Sequence, residues 1–315
     1  MILKKPKFWD KEKSVISIIL YPFTFIVLII LMLKKKLVKA KKFNIPIICI
    51  GNIYIGGTGK TPTSIYVGNE LKKLNRKPVI LRKFYRNHDD EHSLIKKYHE
   101  DLILANNREE GIITAQKKNF DSVILDDGFQ DYTINKDLNI ICFNHNQLIG
   151  NGMILPSGPL RESLSSLKRA DIVLINGDRD VKFEDKILKI NKKIEIFYSH
   201  YTPVNIFEFK NKKLMAIAGI GNPENFFQLL EKNNLQIEKK IIYPDHYNFR
   251  KKEFEDIVRN AEDKNYQIVM TEKDYLRIKN LNLNLKNIGF LKVLLKLDDK
   301  EKFLNRIKEL YDKNN

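Results

Sequence analysis

The sequence predicts an α/β protein with a doubly wound, mostly parallel sheet, a second and smaller α/β domain, and an N-terminal membrane-associated helix. Three observations lead to this prediction. From residue 45 onward, short apolar segments alternate with helical patterns, which is typical of parallel sheets covered by helices. A glycine-rich turn at residues 51–62 follows the first apolar segment. An uncharged run at residues 14–33 precedes that segment.

The composition is that of a globular protein with an anionic partner. The chain of 315 residues has room for about two domains, and a hydrophobic content of 43% supports buried cores. Cys49 and Cys142 lie in predicted strands, which indicates core residues in a reducing compartment and neither a disulfide nor a metal site. The formal charge of +17 favours nucleic acid, acidic lipid or a phosphorylated substrate, and charge alone does not choose among them.

Residues 1–42 form the predicted membrane-associated segment, a helix followed by a basic connector. The uncharged run at 14–33 is just long enough to span a bilayer. Lysines flank it on both sides, which suits a helix anchored in or at the interface and drawn to anionic lipid. A buried core helix is the alternative. The sequence does not distinguish a helix that spans the bilayer from one that lies along it.

The glycine-rich turn has the pattern of a phosphate-binding loop, in a P-loop kinase-like domain. It joins a predicted strand at 45–50 to a predicted helix at 61–74, so backbone N–H groups and the positive end of the helix dipole would face one anion. Lys60 would neutralise terminal phosphate charge, and the Thr61 hydroxyl would hold Mg²⁺. The alternative is a glycine-rich turn with a surface lysine. The predicted nucleotide-binding residues are Tyr54, Ile55, Gly56, Gly57, Thr58, Gly59, Lys60 and Thr61, with Tyr54 where the usual pattern has its first glycine.

The predicted nucleotide-binding domain covers residues 43–205. Further strands are predicted at 78–81, 102–105, 122–127, 139–144 and 170–176, and a helix at 108–118. Residues 82–98 are polar and predict irregular structure, and residues 150–161 predict a Gly/Pro-rich loop.

Two acids end the predicted strand at 122–127. An open parallel sheet binds its ligand at the carboxyl ends of the strands, so Asp126 and Asp127 would share one crevice with Gly59. A carboxylate downstream of a phosphate loop organises Mg²⁺ in many nucleotide-binding proteins. Asp126 and Asp127 are therefore predicted metal ligands, without a choice between them. Solvated loop acids are the alternative.

Residues 206–315 form the predicted smaller α/β domain. Its strands are predicted at 214–218, 237–243, 266–271 and 288–297, and its helices at 223–233, 251–263 and 300–311. The strand-like segment 194–209 contains Pro203, which places the boundary near residue 205.

An ordered set of motifs resembles the tetraacyldisaccharide 4'-kinase family, the lipid A 4'-kinases of Gram-negative bacteria. The motifs are Gly51-Asn-Ile before the phosphate loop, Asp126-Asp-Gly-Phe-Gln130, Gly150-Asn-Gly, Leu155-Pro-Ser-Gly-Pro-Leu-Arg-Glu162, Ala170-Asp171 with Asn176-Gly177, Tyr243-Pro-Asp-His246 and Thr271-Glu-Lys-Asp274. A phosphate loop alone is moderately specific, whereas this set covers nearly the whole chain and is highly specific.

The resemblance implies transfer of the γ-phosphate of ATP to the 4'-hydroxyl of tetraacyldisaccharide 1-phosphate, a late step of lipid A biosynthesis, with Mg²⁺ as cofactor. It implies a lipid A disaccharide precursor as substrate, on the anionic cytoplasmic face of the bacterial inner membrane. It also implies two α/β domains, the smaller closing over an active-site cleft. We expect a monomer. No aromatic and basic strand pattern or recognition helix is present, so nucleic acid is not the expected partner.

The resemblance also assigns the catalytic residues. The family uses an acid in a Gly-Asp-Glu-Pro segment as general base, supported by a histidine of an Asp-His segment. The matching positions are Asp90 and His246, with Lys60 as the third catalytic residue. Asp90 is preferred over Asp89 because Glu91 follows it. Without the resemblance, His246 would be interpreted as an ordinary exposed histidine.

Four further positions are predicted to contact the metal or the substrate. Glu91 is an additional candidate metal ligand. Arg82, Arg161 and Glu162 are the candidate substrate contacts, and an arginine such as Arg161 can clamp a phosphate with two hydrogen bonds. A charge pair at the start of a surface helix is the alternative for Arg161 and Glu162.

One competing function stays open from the sequence. A membrane-attached P-loop NTPase acting on a protein partner would carry the same phosphate loop and the same apolar helix. It would hydrolyse nucleotide without lipid, whereas the lipid kinase would show little turnover until the disaccharide is present.

Overall fold

The computed structural model describes residues 6–85, 89–281 and 284–312. In chain order the described helices and strands are α1 (Val15–Leu37), β1 (Ile47–Gly51), α2 (Lys60–Lys73), β2 (Pro78–Lys83), α3 (Asp89–Tyr98), β3 (Leu102–Ala105), α4 (Arg108–Lys117), β4 (Ser122–Asp126), β5 (Leu138–Asn144), β6 (Ile172–Asn176), α5 (Val181–Ile190), β7 (Glu195–Pro203), β8 (Lys213–Ala218), α6 (Pro223–Lys232), β9 (Gln236–Ile242), α7 (Lys251–Asp263), β10 (Gln267–Thr271), α8 (Glu272–Ile278), β11 (Ile288–Leu291), β12 (Val293–Leu297) and α9 (Lys300–Asp312).

Contacts divide the chain into two compact units. Within the described residues, the larger unit comprises residues 6–84, 99–200 and 295–312, and the smaller unit comprises residues 85, 89–98, 201–281 and 284–294. The predicted domains were continuous in sequence, whereas residues 89–98 and 295–312 each belong with a unit that is distant along the chain. For the last segment the reason is packing, because α9 places Phe303 against Phe197 of β7 and Tyr66 of α2.

The larger unit is built on an eight-stranded sheet in the order β12-β7-β6-β5-β1-β4-β2-β3. Its central strand β1 pairs in parallel with β4 and β5, and every residue of β1 is buried. Such a strand is apolar throughout because both of its faces are covered. The register places Ile50 beside Asp126. The carboxyl end of β4 therefore lies next to the start of the phosphate loop.

The smaller unit has a four-stranded parallel sheet in the order β11-β10-β8-β9. Two apolar clusters form its core, with Phe227 in one and Phe254 in the other. Helix α8 starts where β10 ends, and Thr271 Oγ1 caps it by accepting a bond from Asp274 N. The end of β10 and the first turns of α8 thus form one continuous strand-to-helix connection.

Three local expectations differ from the structure. Residues 82–98 were expected to be irregular, but 89–98 form α3; residues 86–88 lie outside the described residues. The buried positions of α3 include the polar residues Asp90 and His92, so the sequence shows no apolar stripe that would predict this helix. The single strand expected at 288–297 is divided into β11 and β12, which belong to different sheets. Helices α5 and α8 were not predicted.

Helix α1 packs through the polar residues Ser17 and Thr24 and the apolar residues Val27 and Leu28, and it exposes most of its other apolar residues. Ser17 and Thr24 are buried, and only 11% of the most apolar 18-residue window is buried. Thr24 Oγ1 lies 2.8 Å from Ser157 Oγ, and Asn151 Nδ2 donates to Ser17 Oγ at 3.1 Å. The alternative of a buried core helix does not fit this exposure. By length and composition α1 could cross a membrane.

Candidate active site

The loop between β1 and α2 has a conformation suited to binding an anion. Gly56 and Gly59 have φ angles of +105° and +91°, in the left-handed region that glycine adopts without steric cost. The side chain of Asn52 donates to Thr58 Oγ1 at 2.9 Å and to Gly56 O at 3.4 Å. These bonds hold the loop just before α2 begins at Lys60, where a helix N-terminus offers free N–H groups.

A second loop is bonded to the phosphate loop through the backbone. Ile55 N donates to Pro159 O at 2.9 Å, and Arg161 N donates to Ile53 O at 2.7 Å. The side chain of Tyr54 is fully buried in the hydrophobic core. Tyr54, one of the predicted nucleotide-binding residues, could therefore contact a ligand only through its backbone.

Asp126 is the centre of a buried polar group. Its Oδ2 accepts a bond from Thr61 Oγ1 at 3.2 Å, and its Oδ1 accepts one from Ser64 Oγ at 3.0 Å. Arg82 is the register partner of Asp126 in the β2–β4 pairing and also donates to Oδ2. Arg82 was predicted to contact substrate, and Ser64 was not among the predicted site residues. The structure gives both side chains a bond to Asp126.

Asp127 holds two cations beside the phosphate loop. Arg161 Nη1 lies 3.0 and 3.1 Å from the two carboxylate oxygens, and Lys60 Nζ lies 3.7 Å from Oδ1. Burial alone would raise the pKa of Asp127, but the charges of Lys60 and Arg161 outweigh it and hold the pKa well below its usual range. Burial also lowers the pKa of Lys60, and Asp127 opposes that shift.

The side chains around Asp126 and Asp127 suit a polyphosphate together with Mg²⁺. Lys60, Arg82 and Arg161 outnumber the two carboxylates, so the group carries excess positive charge. The hydroxyl of Thr61 and the two carboxylates are hard oxygen donors, and Mg²⁺ usually takes one or two carboxylates plus phosphate and water oxygens. Within residues 6–85, 89–281 and 284–312, no three His, Cys, Asp or Glu side chains form a metal site by themselves. A site completed by phosphate oxygens does not require such a group.

Glu162 is engaged behind this region. Its Oε2 accepts a bond from the Tyr132 hydroxyl at 2.7 Å and pairs with Arg169 Nη2. The guanidinium of Arg169 stacks over the rings of Phe129 and Tyr132 at 4.2 and 4.8 Å. Glu162 thus braces the segment that follows Asp127, and its predicted contact with substrate stays a prediction.

The smaller unit holds a second group of predicted site residues around Asp90, near the start of α3. Arg277 of α8 donates to Asp90 Oδ2 from Nε at 3.0 Å and from Nη2 at 2.7 Å. His246 Nδ1 lies 3.5 Å from Oδ1. Lys273 Nζ lies 3.9 Å from Oδ2 and 2.7 Å from Glu91 Oε1. The structure therefore brings the predicted pair Asp90 and His246 together, and it places Glu91 beside a lysine.

The surroundings of Asp90 keep it ionised. Burial alone would raise its pKa. The neighbouring His246 imidazole and the positive charges of Lys273 and Arg277 outweigh this effect and lower the pKa. Such a carboxylate is a weak base but a constant hydrogen-bond acceptor at neutral pH.

His246 is presented by a turn with an unusual backbone. Its φ angle is +56°, which is uncommon for residues other than glycine and is a recognised feature of functional sites. The turn is bonded locally, since His246 N donates to Asp245 Oδ1 at 3.0 Å. Its Nε2 lies 3.9 Å from Glu91 Oε1, so the imidazole is close to both Asp90 and Glu91.

Arg277, like Ser64, is a site residue that was not predicted from the sequence. The motif Thr271-Glu-Lys-Asp274 ended three residues before it. The available signal was the spacing of four between Lys273 and Arg277, which places both cations on one face of a helix. Helix α8 itself was not predicted, so that signal could not be used.

Comparison of sequences relates the chain to one family. A family model described as "LpxK: Tetraacyldisaccharide-1-P 4'-kinase" matches residues 16–102 and 87–312. A Pelagibacter ubique (strain HTCC1062) protein named tetraacyldisaccharide 4'-kinase is 42% identical over 319 residues, with 100% of both chains covered. A Rickettsia bellii (strain OSU 85-389) protein of the same name is 32% identical over 293 residues, covering 87% of this chain and 89% of its own.

Comparison of folds gives a consistent result. The structure is similar to that of LpxK from Aquifex aeolicus, with a TM-score of 0.71, 23% identity, and coverage of 94% of this chain and 99% of the other. That crystal structure is described as a complex with ATP. At this identity the similarity establishes the fold, and it confirms the predicted α/β class with mostly parallel sheets.

Proposed function

The chain belongs to the tetraacyldisaccharide-1-P 4'-kinase family, and from this premise we propose how it carries out the family's reaction. The reaction is transfer of the γ-phosphate of ATP to the 4'-hydroxyl of a tetraacylated disaccharide 1-phosphate, in lipid A biosynthesis. The observation that carries the proposal is the convergence of Lys60, Thr61, Asp126, Asp127 and Arg161 at the N-terminus of α2.

The phosphate loop is the proposed site for the triphosphate. Backbone N–H groups of residues 56–61 would bind its oxygens, because the glycine φ angles leave that backbone open to an anion. Lys60 would exchange its contact with Asp127 for one with the terminal phosphates. Arg161 lies on the same carboxylate and would bind a phosphate with its planar guanidinium.

Mg²⁺ is the proposed metal cofactor. Thr61, Asp126 and Asp127 are the residues that would hold it, because their oxygens are grouped beside Lys60. When bound, the ion neutralises charge on the β- and γ-phosphates. Arg82 and Ser64 keep the Asp126 carboxylate in a fixed orientation.

Asp90 is the proposed acceptor of the proton of the sugar hydroxyl. Phosphoryl transfer passes through a loose transition state, so the hydroxyl must be oriented first and loses its proton late. The lowered pKa of Asp90 suits this order, because the carboxylate stays charged and accepts a hydrogen bond from the hydroxyl. His246, 3.5 Å from Asp90 Oδ1, would assist in removing the proton.

Helix α1 is the proposed membrane contact, on the cytoplasmic face of the inner membrane. Its exposed side carries Ile19 and Ile26, which are 64% and 56% exposed. Ser17 and Thr24 are hydrogen-bonded to the protein, and a spanning helix would leave these polar groups in hydrocarbon. We therefore favour a helix that lies along the surface with its apolar side in the lipid.

Vesicle flotation tests this orientation. Replacing Ile19 and Ile26 together by Lys should reduce binding to anionic phosphatidylglycerol vesicles, because charge is inserted into the apolar side. Val181→Lys, at an exposed apolar position of α5, is the matched control and should float like the wild type. Equal flotation of all three proteins would remove α1 as the membrane contact.

The transfer assay tests the proposed function itself. Purified protein is incubated with γ-labelled ATP and tetraacyldisaccharide 1-phosphate in detergent micelles, and the label is followed by chromatography. We expect label in the glycolipid and little release of inorganic phosphate when the lipid is omitted. Lipid-independent release without glycolipid labelling would support the competing function, an NTPase acting on a protein partner.

A further inference from the structure

We infer that Arg277 is a positioning residue for the transfer reaction, holding the Asp90 carboxylate in the orientation in which it accepts the hydroxyl proton. The inference rests on the proposed function of Asp90. Arg277 lies outside every motif that carries the family resemblance.

The contact of Arg277 with Asp90 is one-sided. Both Nε and Nη2 donate to the same oxygen, Oδ2, at 3.0 and 2.7 Å. The other oxygen, Oδ1, faces His246 at 3.5 Å. The two oxygens of one carboxylate thus have separate tasks: Oδ2 is fixed by the guanidinium, and Oδ1 is left toward the histidine and the incoming hydroxyl.

The guanidinium is itself fixed from the other side. Its Nη1 donates to Asp274 Oδ1 and to the backbone oxygen of Gly219, both at 2.6 Å. Asp274 is fully buried, and its Oδ2 accepts bonds from Gly219 N at 3.0 Å and from Thr271 Oγ1 at 2.6 Å. All three guanidinium nitrogens are therefore engaged, which leaves Arg277 little freedom to rotate.

Gly219 allows this close arrangement. A Cβ at residue 219 would lie 3.0 Å from Asp274 Oδ1 and 3.4 Å from Arg277 Nη1, and the first distance is shorter than side chains normally tolerate. The absence of a side chain lets the backbone approach both charged groups. Asp90, Arg277, Asp274 and Gly219 form a continuous buried line of contacts from α3 to the end of β8.

A purely structural role for Arg277 is less consistent with the contacts of α3. The other end of that helix is already bonded to α8, since the Tyr98 hydroxyl lies 2.9 and 2.8 Å from the two Glu272 oxygens. Lys97 pairs with Glu272 as well. These bonds attach α3 to α8 without Arg277. Loss of Arg277 should therefore change the orientation of the Asp90 carboxylate more than the position of α3.

The charge of Arg277 alone does not explain the site, because Lys273 also brings a positive charge near Asp90. What Lys273 lacks is a planar fork that donates from two nitrogens to one oxygen, and lysine cannot replace that geometry. The conservative variant Arg277→Lys therefore separates charge from orientation.

A double-mutant cycle tests the inference. The proteins are the wild type, Arg277→Gln, Asp90→Asn and the double variant, with kcat and the KM for ATP measured for each. Arg277→Gln should lower kcat about 10²-fold, the loss typical of a misplaced reacting group, and leave the KM for ATP unchanged. In the Asp90→Asn background, Arg277→Gln should have no further effect on kcat. Arg277 acts only through the Asp90 carboxylate, and that carboxylate is absent from this background.

Two further variants complete the experiment. Arg277→Lys should restore only part of kcat. Arg259→Gln, at an exposed arginine of the same unit paired with Asp256, should keep wild-type kinetics. Far-ultraviolet circular dichroism and thermal unfolding are recorded for every variant, and Arg277→Lys keeps the cycle informative if Arg277→Gln is poorly folded.

The outcomes separate this inference from the function on which it rests. An equal loss of kcat from Arg277→Gln in both backgrounds would overturn the positioning role alone. A wild-type kcat in Arg277→Gln would also overturn the positioning role alone. Wild-type kcat in Asp90→Asn would overturn the role of Asp90, and the positioning role with it.

Discussion

In the larger unit, Asp127 contacts Lys60 and Arg161; in the smaller unit, Asp90 contacts Arg277 and Lys273. Both aspartates have lowered pKa values, because the neighbouring cations outweigh the effect of burial. The chemistry of the two contacts is the same, yet the two groups differ in which partner is held in place by the rest of the structure.

Around Asp127 we propose that the cations change partner when a triphosphate binds. Lys60 lies 3.7 Å from the carboxylate, which is a loose contact, and a triphosphate would be a stronger partner for it. Around Asp90 the cation is fixed, because Arg277 is also bonded to Asp274 and Gly219. We propose from this comparison that Asp127 holds cations that an incoming anion takes over, whereas Asp90 is itself the group that must stay charged and oriented.

The largest effect should come from removing the exchangeable cation. Lys60→Ala should lower kcat about 10³-fold, because the charge that develops on the transferred phosphate loses a cationic hydrogen-bond donor. The measurement is initial-rate kinetics with γ-labelled ATP. Lys73→Ala, an exposed lysine of the same helix paired with Glu70, is the control and should keep its rate. If Lys60→Ala lowered kcat no more than the control does, Lys60 would not contact the phosphates during the reaction.

The next largest effect should come from the fixed aspartate. Asp90→Asn keeps the shape of the side chain but not its charge, and kcat should fall about 10²-fold, as expected for loss of a general base. The KM for ATP should stay at the wild-type value, in contrast to changes at the phosphate loop. If Asp90→Asn instead altered only the KM for ATP, the distinction drawn between the two aspartates would be lost.

A smaller effect is expected at the second cation of Asp127. Arg161→Gln should lower kcat/KM for ATP about tenfold, since one charge-assisted hydrogen bond to phosphate is worth roughly 1.4 kcal/mol or more. Arg179→Gln, an exposed arginine of the larger unit paired with Glu184, is the matched control. Unchanged kcat/KM in Arg161→Gln would show that Arg161 contacts Asp127 and does not bind the phosphates of ATP.

The smallest effect concerns stability and pH. Asp90 has a lower pKa in the folded protein than the value of about 3.9 expected in the unfolded chain. Its ionised form therefore stabilises the fold above about pH 4, and this contribution is lost as the pH falls through that value toward the folded pKa. The Tm difference between the wild type and Asp90→Asn should shrink between about pH 6 and about pH 3.

Asp256→Asn is the control for the pH experiment, because Asp256 is an exposed acid of the smaller unit paired with Arg259. Its Tm difference from the wild type should be small and should change little over the same range. A Tm difference for Asp90→Asn that stayed constant with pH would mean that the Asp90 ion pair does not contribute to folding.

The residues of the phosphate loop were predictable because they are neighbours in sequence. Gly56 to Thr61 follow one apolar strand, and the pattern of glycines, lysine and threonine is a local property of the chain. Asp126 and Asp127 were predictable for a related reason, since strands of a parallel sheet end at one edge and the acids come directly after an apolar strand.

The pairings of Arg82 and Arg277 were not predictable in the same way. Arg82 meets Asp126 because β2 and β4 are neighbours in register, and no local pattern states which strands pair. Arg277 lies 187 positions from Asp90 along the chain, on a helix whose seven residues are too few for a periodic signal. The pairing of Asp90 with His246 was expected only through the family resemblance.

The amino-acid sequence by itself determined the α/β class, the phosphate loop, the acids after β4 and the apolar character of residues 14–33, because each of these depends on residues close together in the chain. The tertiary structure decided which arginine holds which aspartate, and which side of α1 faces the protein. Those choices depend on the pairing of strands and the packing of helices that are distant in sequence. The free energy that favours these pairings comes from burial and charge complementarity between segments, which no single segment contains.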